Sequence, residues 1–82
     1  MITIQVRLFA RARDLAGMDT LAVALPGGAT VGDLRRSMAA EHPEMAGLLA
    51  HSAIAVDGEF AEDALPLTTR AEVALLPPVS GG

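Results

Sequence analysis

The opening segment of the chain most constrains its fold, because its apolar side chains fall at every second position. This alternation is the pattern of a β-strand with one face toward a core. One face carries Ile2, Ile4, Val6 and Leu8, and the other carries Thr3, Gln5, Arg7 and Phe9. We therefore predict a strand over residues 2–9, with the first of these faces turned toward the core.

One main helix is predicted between the strands. Thr30 is placed as an N-cap, and Asp33, three residues on, completes a carboxylate variant of the capping box. Apolar residues follow at helical spacing as far as Met38. Pro43 predicts that the helix ends at about Glu41.

Shorter segments complete an alternating order of strands and helices. They are a short helix over 10–15 that ends at Gly17, a strand over 21–25, a further helical turn over 45–50, a strand over 53–56, a hairpin turn at Asp57-Gly58 leading to Phe60, and a last strand over 72–76. Such a chain packs as one mixed sheet with the main helix on one face. The predicted fold class is α+β, with one domain over residues 1–76 and a tail over 77–82.

The face of the sheet opposite the main helix has no predicted covering layer. If the apolar face of the first strand packs on the helix, Phe9 points away from it. If Glu72 faces water, Ala74 and Leu76 share its side of the last strand. An exposed apolar patch in a small protein predicts a binding site for a partner. Scattered surface apolar residues that need no explanation are the alternative.

Composition argues against several classes of function. A domain of 82 residues has little room for a deep catalytic cleft of its own. The net charge is −4, with six Arg, no Lys, two Phe and no Trp or Tyr, so no nucleic-acid partner is expected. Without Cys, the chain has no disulfide, thiolate nucleophile or Cys-based metal site. His42 and His51 lack metal-ligand spacing, so no metal is expected.

Targeting and catalytic motifs are also missing from the sequence. No stretch is apolar enough to span a membrane, so no membrane partner is expected. The segment Met1-Ile2-Thr3-Ile4 is neither a basic leader nor an apolar signal, which favours the cytoplasm. No arrangement of Ser, His and Asp and no phosphate-binding glycine loop is visible. The expected reactive group is then the carboxylate at the end of the chain.

The sequence ends in an unusual tail, Pro77-Pro78-Val79-Ser80-Gly81-Gly82. The two prolines favour an extended, stiff segment, and the two glycines fit a slot too narrow for side chains. Fully extended, six residues reach roughly 20 Å. Such a tail can insert a carboxylate into the active site of another protein. A cloning remnant also commonly ends in Ser-Gly-Gly, but it does not usually contain Pro-Pro-Val before it.

Several motifs together resemble the small subunit of molybdopterin synthase. They are Arg13-Asp14-Leu15-Ala16-Gly17, Thr30-Val31, Asp57-Gly58-Glu59 and, most specifically, the segment from Glu72 to Gly82. The resemblance covers the whole chain and implies a ubiquitin-like β-grasp fold. It also implies a sulfur carrier that is not an enzyme on its own and binds no cofactor itself. An E1-like enzyme consumes ATP to adenylate the terminal carboxylate, which becomes a thiocarboxylate and donates sulfur to a cyclic pterin precursor, forming the dithiolene of molybdopterin.

The resemblance also implies roles for particular residues. Gly82 carries the adenylate and then the sulfur, and the tail residues Pro77, Pro78, Val79, Ser80 and Gly81 enter the large synthase subunit. Phe9 and Leu76 match positions at the large-subunit interface, and Arg13 matches one that pairs with the activating enzyme. A heterotetramer of large and small subunits is the expected assembly.

The chain departs from the family pattern before the last strand. Thr69-Arg70-Ala71 stands where the family often has Asp-Gly-Asp, so this turn cannot use a glycine at positive φ.

Two alternative functions remain open. A thiamin-type sulfur carrier shares the fold and the Gly-Gly end but is usually shorter and lacks Pro-Pro-Val. A ubiquitin-like protein modifier forms isopeptide bonds, although a chain without Lys cannot build polymers of itself.

Overall fold

The computed structural model describes residues 1–78. In chain order the elements are β1 (Ile2–Leu8), α1 (Ala10–Ala16), β2 (Thr20–Leu25), α2 (Val31–Glu41), a 3-10 turn (Pro43–Met45), α3 (Ala46–His51), β3 (Ala53–Val56), β4 (Glu59–Phe60) and β5 (Val73–Leu76). The predicted elements are therefore present, with ends that differ by a few residues. Tail residues 79–82 lie outside the described part, so the predictions for Val79, Ser80, Gly81 and Gly82 are not addressed by it.

The strands form one mixed five-stranded sheet in the order β2-β1-β5-β3-β4. β5 lies between β1, to which it is parallel, and β3, to which it is antiparallel. The outer pairs β1–β2 and β3–β4 are antiparallel hairpin-type pairs. The α+β architecture predicted from the sequence is confirmed, and the last strand of the chain occupies the centre of the sheet.

One face of the sheet packs against the helices. Ile4, Val6 and Leu8 of β1 are buried together with Leu34 and Met38 of α2. The remaining buried apolar residues of this core come from every other element except β4; they include Val23, Met45, Leu49, Ile54, Val73 and Leu75. The alternation predicted for the first and last strands is thus confirmed, because Val73 and Leu75 face the core.

The start of α2 is held from two sides. Thr30 Oγ1 accepts a hydrogen bond from the Asp33 N–H (3.2 Å), and Asp33 Oδ2 accepts one from the Thr30 N–H (2.9 Å). This is the predicted capping box. The connection between β4 and β5 crosses the same helix end, where the Val31 N–H donates to the Leu65 carbonyl (2.9 Å). These bonds use helix N–H groups that have no partner within the helix.

Two turns bear on the sequence predictions. Asp57 (φ 52°) and Gly58 (φ 84°) both lie in the left-handed region, as the predicted two-residue hairpin turn requires. The turn over 68–71 closes with the Ala71 N–H donating to the Thr68 carbonyl at 3.1 Å. No residue of this turn has a positive φ, so the turn needs no glycine.

Candidate functional site: the outer face of the sheet and the root of the tail

The face of the sheet opposite α2 is bare in the described part of the chain. Thr3, Gln5 and Arg7 alternate with the buried residues of β1 and are exposed. Because neighbouring strands place directly paired residues on the same face, the register shows what else lies there. Arg7 pairs with Ala74, Ala74 with Ala55, and Ala55 with Phe60, so these four side chains form one row across β1, β5, β3 and β4.

A second row lies nearer the tail. Leu76 at the end of β5 pairs with Ala53 at the start of β3. Phe9 follows the last residue of β1 with extended backbone (φ −126°, ψ 154°), so its side chain continues the outward alternation. We define the outer patch as the apolar residues of these two rows: Phe9, Ala53, Ala55, Phe60, Ala74 and Leu76.

The structure brings Phe9 and Leu76 to the same end of the sheet, where β1 and β5 finish. Leu8 pairs with Leu75, and Phe9 and Leu76 are the next residues on those two parallel strands. Phe9 is 38% exposed and Leu76 is half-buried. The two residues predicted to dock a partner are therefore neighbours and belong to one surface.

Phe60 is the patch residue whose position the sequence reasoning did not use. It is 78% exposed, far more than Phe9. The signal was available, because a two-residue turn at Asp57-Gly58 sets Val56 opposite Glu59 and Ala55 opposite Phe60. Since Ile54 faces the core, Ala55 and hence Phe60 must face away from it. Both aromatic residues of the chain thus lie on the outer patch.

The root of the tail is fixed by the centre of the sheet. Leu76 is the last paired residue of β5, Pro77 is half-buried, and Pro78 is exposed. The chain therefore leaves the domain at the end of the sheet where Phe9 lies. Arg13 is exposed in the last turn of α1, which begins directly after Phe9, and its carbonyl accepts a hydrogen bond from the Gly17 N–H at 2.9 Å.

Arg7 brings a positive charge to this face of the sheet. The Arg7 guanidinium carbon lies 5.7 Å from the centroid of the Phe9 ring. Away from this face, at the start of α2, the Thr30 backbone N–H and the Arg36 guanidinium hold the pKa of Asp33 below its ordinary value of 3.8. In residues 1–78 no three His, Asp or Glu side chains lie close enough to hold a metal ion. The same residues contain no helix that could cross a membrane.

The sheet order, the single main helix on one face and the centrally placed last strand define a ubiquitin-like β-grasp protein. The sequence profile of the ThiS family matches residues 6–82, and the chain belongs to this family. The resemblance to a sulfur-carrier family that the tail motif suggested is confirmed.

Individual relatives agree with this assignment. The chain is 32% identical over 81 residues to the molybdopterin synthase sulfur carrier subunit of Arabidopsis thaliana, covering 99% of this chain and 84% of the relative. It is 30% identical to the crystal structure of Haloferax volcanii small archaeal modifier protein 1, with a TM-score of 0.85 over 96% of this chain and 100% of that one. Subunits 1 and 2 of the molybdopterin-converting factor from Helicobacter pylori form a solved complex. A chain of that complex matches at 23% identity with a TM-score of 0.70, covers 99% of this chain and 100% of its own length, and shows the shared fold.

Proposed function

We propose that this protein is the sulfur carrier subunit of a molybdopterin synthase and that Gly82 carries the sulfur as a terminal thiocarboxylate. The observation that supports this most directly is the central position of β5, which precedes the Gly-Gly tail in the sequence and is paired on both sides. Relatives of nearly full length are named as sulfur carrier subunits of the same synthase.

The chemistry of the carrier follows from its C-terminal carboxylate. A carboxylate is a poor acyl donor, so an E1-like enzyme first joins Gly82 to AMP and releases pyrophosphate from ATP. A sulfide-level donor then attacks the acyl carbon, forms the C–S bond and displaces AMP. The thiocarboxylate stores sulfur on a chain that has no Cys. In this scheme the domain itself binds no cofactor. Because the activation consumes ATP, we propose that the protein acts in the cytoplasm.

The large synthase subunit is the proposed receiver of the tail. Residues 79–82, fully extended, reach about 13 Å beyond Pro78, which is enough to bring Gly82 into a neighbouring active site. The outer patch lies at the root of the tail, so one partner can cover the patch and hold the tail at the same time. Two large and two small subunits form the proposed heterotetramer. Holding the thiocarboxylate beside the pterin substrate supplies most of the rate effect. Arg13 is proposed to pair with the activating enzyme.

Intact mass tests the proposal. Incubation with the activating enzyme, ATP and a sulfide donor should raise the mass by about 16 Da, because one oxygen is replaced by sulfur. A variant lacking Gly82 is the matched control and should gain no mass and transfer no sulfur. An unchanged mass in the wild-type protein under conditions that activate a known carrier would contradict the proposal.

A second candidate function is protein modification. It is favoured by the similarity to small archaeal modifier protein 1, which is 30% identical with a TM-score of 0.85. The same activation reaction in a cell extract distinguishes the two functions. A modifier should yield covalent adducts on lysines of other proteins, whereas a sulfur carrier should remain as a monomeric thiocarboxylate that molybdopterin synthase consumes.

A further inference from the structure

One cation, Arg7, lies directly beside the outer patch. Arg7 points to the same side of the sheet as Ala74, its direct partner on β5. Its guanidinium carbon is 5.7 Å from the centroid of the Phe9 ring, within the range of a cation–π contact. The contact holds the guanidinium against the ring beside the root of the tail.

Arg7 has no carboxylate partner among residues 1–78. The ion pairs in this part of the chain involve Arg35, Arg36 and His42, all on or just after α2. The residues paired directly with Arg7 are Thr20 on β2 and Ala74 on β5, and neither carries a charge. Glu72, two residues before Ala74, is also exposed, but it is not among the ion pairs of residues 1–78. The guanidinium is exposed, so water now satisfies its donors.

The acidic residues are concentrated at the opposite end of β5. Five of the ten carboxylates fall within residues 57–72: Asp57, Glu59, Glu62, Asp63 and Glu72. The Asp57 N–H donates to the Glu72 carbonyl at 2.8 Å, which places this segment where β5 begins. Arg7, Arg11 and Arg13, half of the arginines, lie toward the end where the tail leaves.

A partner that covers Phe9 and Leu76 also reaches Arg7, because the Arg7 guanidinium lies against the Phe9 ring and Arg7 is one row from both apolar residues on the same face. Removing water from an unpaired guanidinium costs free energy that apolar contacts nearby do not return. We propose that the large subunit presents an Asp or Glu carboxylate to Arg7, and that this ion pair selects the correct partner. This inference rests on the proposed function and adds a specificity residue to it.

A protein carboxylate fits this site better than a phosphate of nucleic acid. A single guanidinium beside Ala74 and Phe9 offers apolar contact area and one planar pair of donors. A planar fork matches a carboxylate with two parallel hydrogen bonds. Nucleic-acid surfaces instead require several cations on one face, and the chain as a whole carries a net charge of −4.

The test is the affinity of the complete chain, in its carboxylate form, for the large subunit from the same source. Arg7→Met keeps most of the side-chain length and apolar contact but removes the charge. We expect it to weaken binding by about 30-fold or more, as for the loss of one partner of a buried charge pair. Arg70→Met is the matched control, because Arg70 is also exposed but lies before the opposite end of β5, and its affinity should match the wild type.

The sign of the effect decides the inference. If Arg7 is buried without a carboxylate, Arg7→Met binds equally well or more tightly, and the inference is wrong. The same titration separates this outcome from failure of the proposed function, since wild-type protein that does not bind the large subunit contradicts the proposed function itself. Thermal unfolding of each variant confirms that the affinities compare folded proteins.

Discussion

Gly32 shows how one missing methyl group lets the β4–β5 connection approach α2. Its N–H donates to the Asp63 carbonyl at 2.9 Å. A Cβ at this position would lie 3.2 Å from Asp63 Cβ and 3.3 Å from the Asp63 carbonyl oxygen. Arg35 also donates to Asp63 Oδ1, so Asp63 is held through its carbonyl and through its side chain, and moving it away from α2 would stretch these bonds.

Replacing Gly32 by Ala should therefore destabilise the domain. The lost or stretched hydrogen bonds outweigh the gain in helix propensity, for a net cost of about 1 kcal/mol in the free energy of unfolding. Urea unfolding measures this change in the free energy of unfolding, provided that the dependence on urea concentration is the same in both proteins.

Gly47→Ala is the matched control for this prediction. Gly47 lies within α3, and a Cβ there meets no atom within 4 Å. The same substitution should stabilise this site by about 0.5–1 kcal/mol. Equal stabilisation at both positions would show that the Asp63 backbone is free to move, contrary to the contact described above.

At the scale of elements, what the sequence predicts depends on where the signal resides. The capping box at Thr30 and the turn at Asp57-Gly58 depend on residue types at fixed spacing, and both were predicted. The hydrogen bond from the Val31 N–H to the Leu65 carbonyl joins backbone groups far apart in the chain, and no residue type marks it in advance. The hydrogen bonds from the Arg35 guanidinium to the Leu49 and Ser52 carbonyls were not predicted either, because they too join residues far apart in the chain.

The capping box makes the stability of the domain depend on pH. Hydrogen bonds from Thr30 and the Arg36 guanidinium lower the pKa of Asp33 below 3.8. The stabilisation is therefore fully present above the ordinary pKa of an aspartate. It is lost as the pH falls below about 4, through the lower pKa of the folded state. Asp33→Asn should be less stable at neutral pH and should lose less stability than the wild type on acidification.

NMR titration of the Asp33 carboxyl checks the cause. Arg36→Gln leaves the Thr30 hydrogen bonds in place and should raise the pKa of Asp33 toward its ordinary value, because one of the lowering interactions is gone. Parallel stability curves for wild type and Asp33→Asn between pH 2 and 5 would contradict the assignment of this acid sensitivity to the capping box.

At the scale of the whole molecule, the sequence predicted the mixed sheet but not the order of its strands. Alternation shows which side of β1 and β5 is buried, yet it does not show that β5 pairs with both β1 and β3. That pairing joins residues about 67 positions apart, such as Val6 and Val73, and local patterns carry no information on such distant partners. The outer patch followed the same division. Phe9, Ala74 and Leu76 were placed on this face from the sequence, whereas Ala53, Ala55 and Phe60 were added from the register of β3 and β4.

Removing residues 79–82 should leave the stability of the domain unchanged. The last core residue of the described part is Leu75, and β5 ends at Leu76, so the deletion retains every strand and core residue that the structure describes. We expect the same thermal midpoint as the full chain, within about 1 °C for a change below 0.2 kcal/mol, together with complete loss of sulfur transfer. A lower midpoint would show that the tail packs on the domain.

The central position of β5 also has a mechanical consequence. A partner that draws on the tail pulls β5 along its own axis, and hydrogen bonds to β1 on one side and β3 on the other all carry the load at once. A strand at the edge of a sheet would instead be peeled away one bond at a time. A pull on the tail should therefore leave the domain folded, because β5 is hydrogen-bonded on both sides and these bonds resist the shear together.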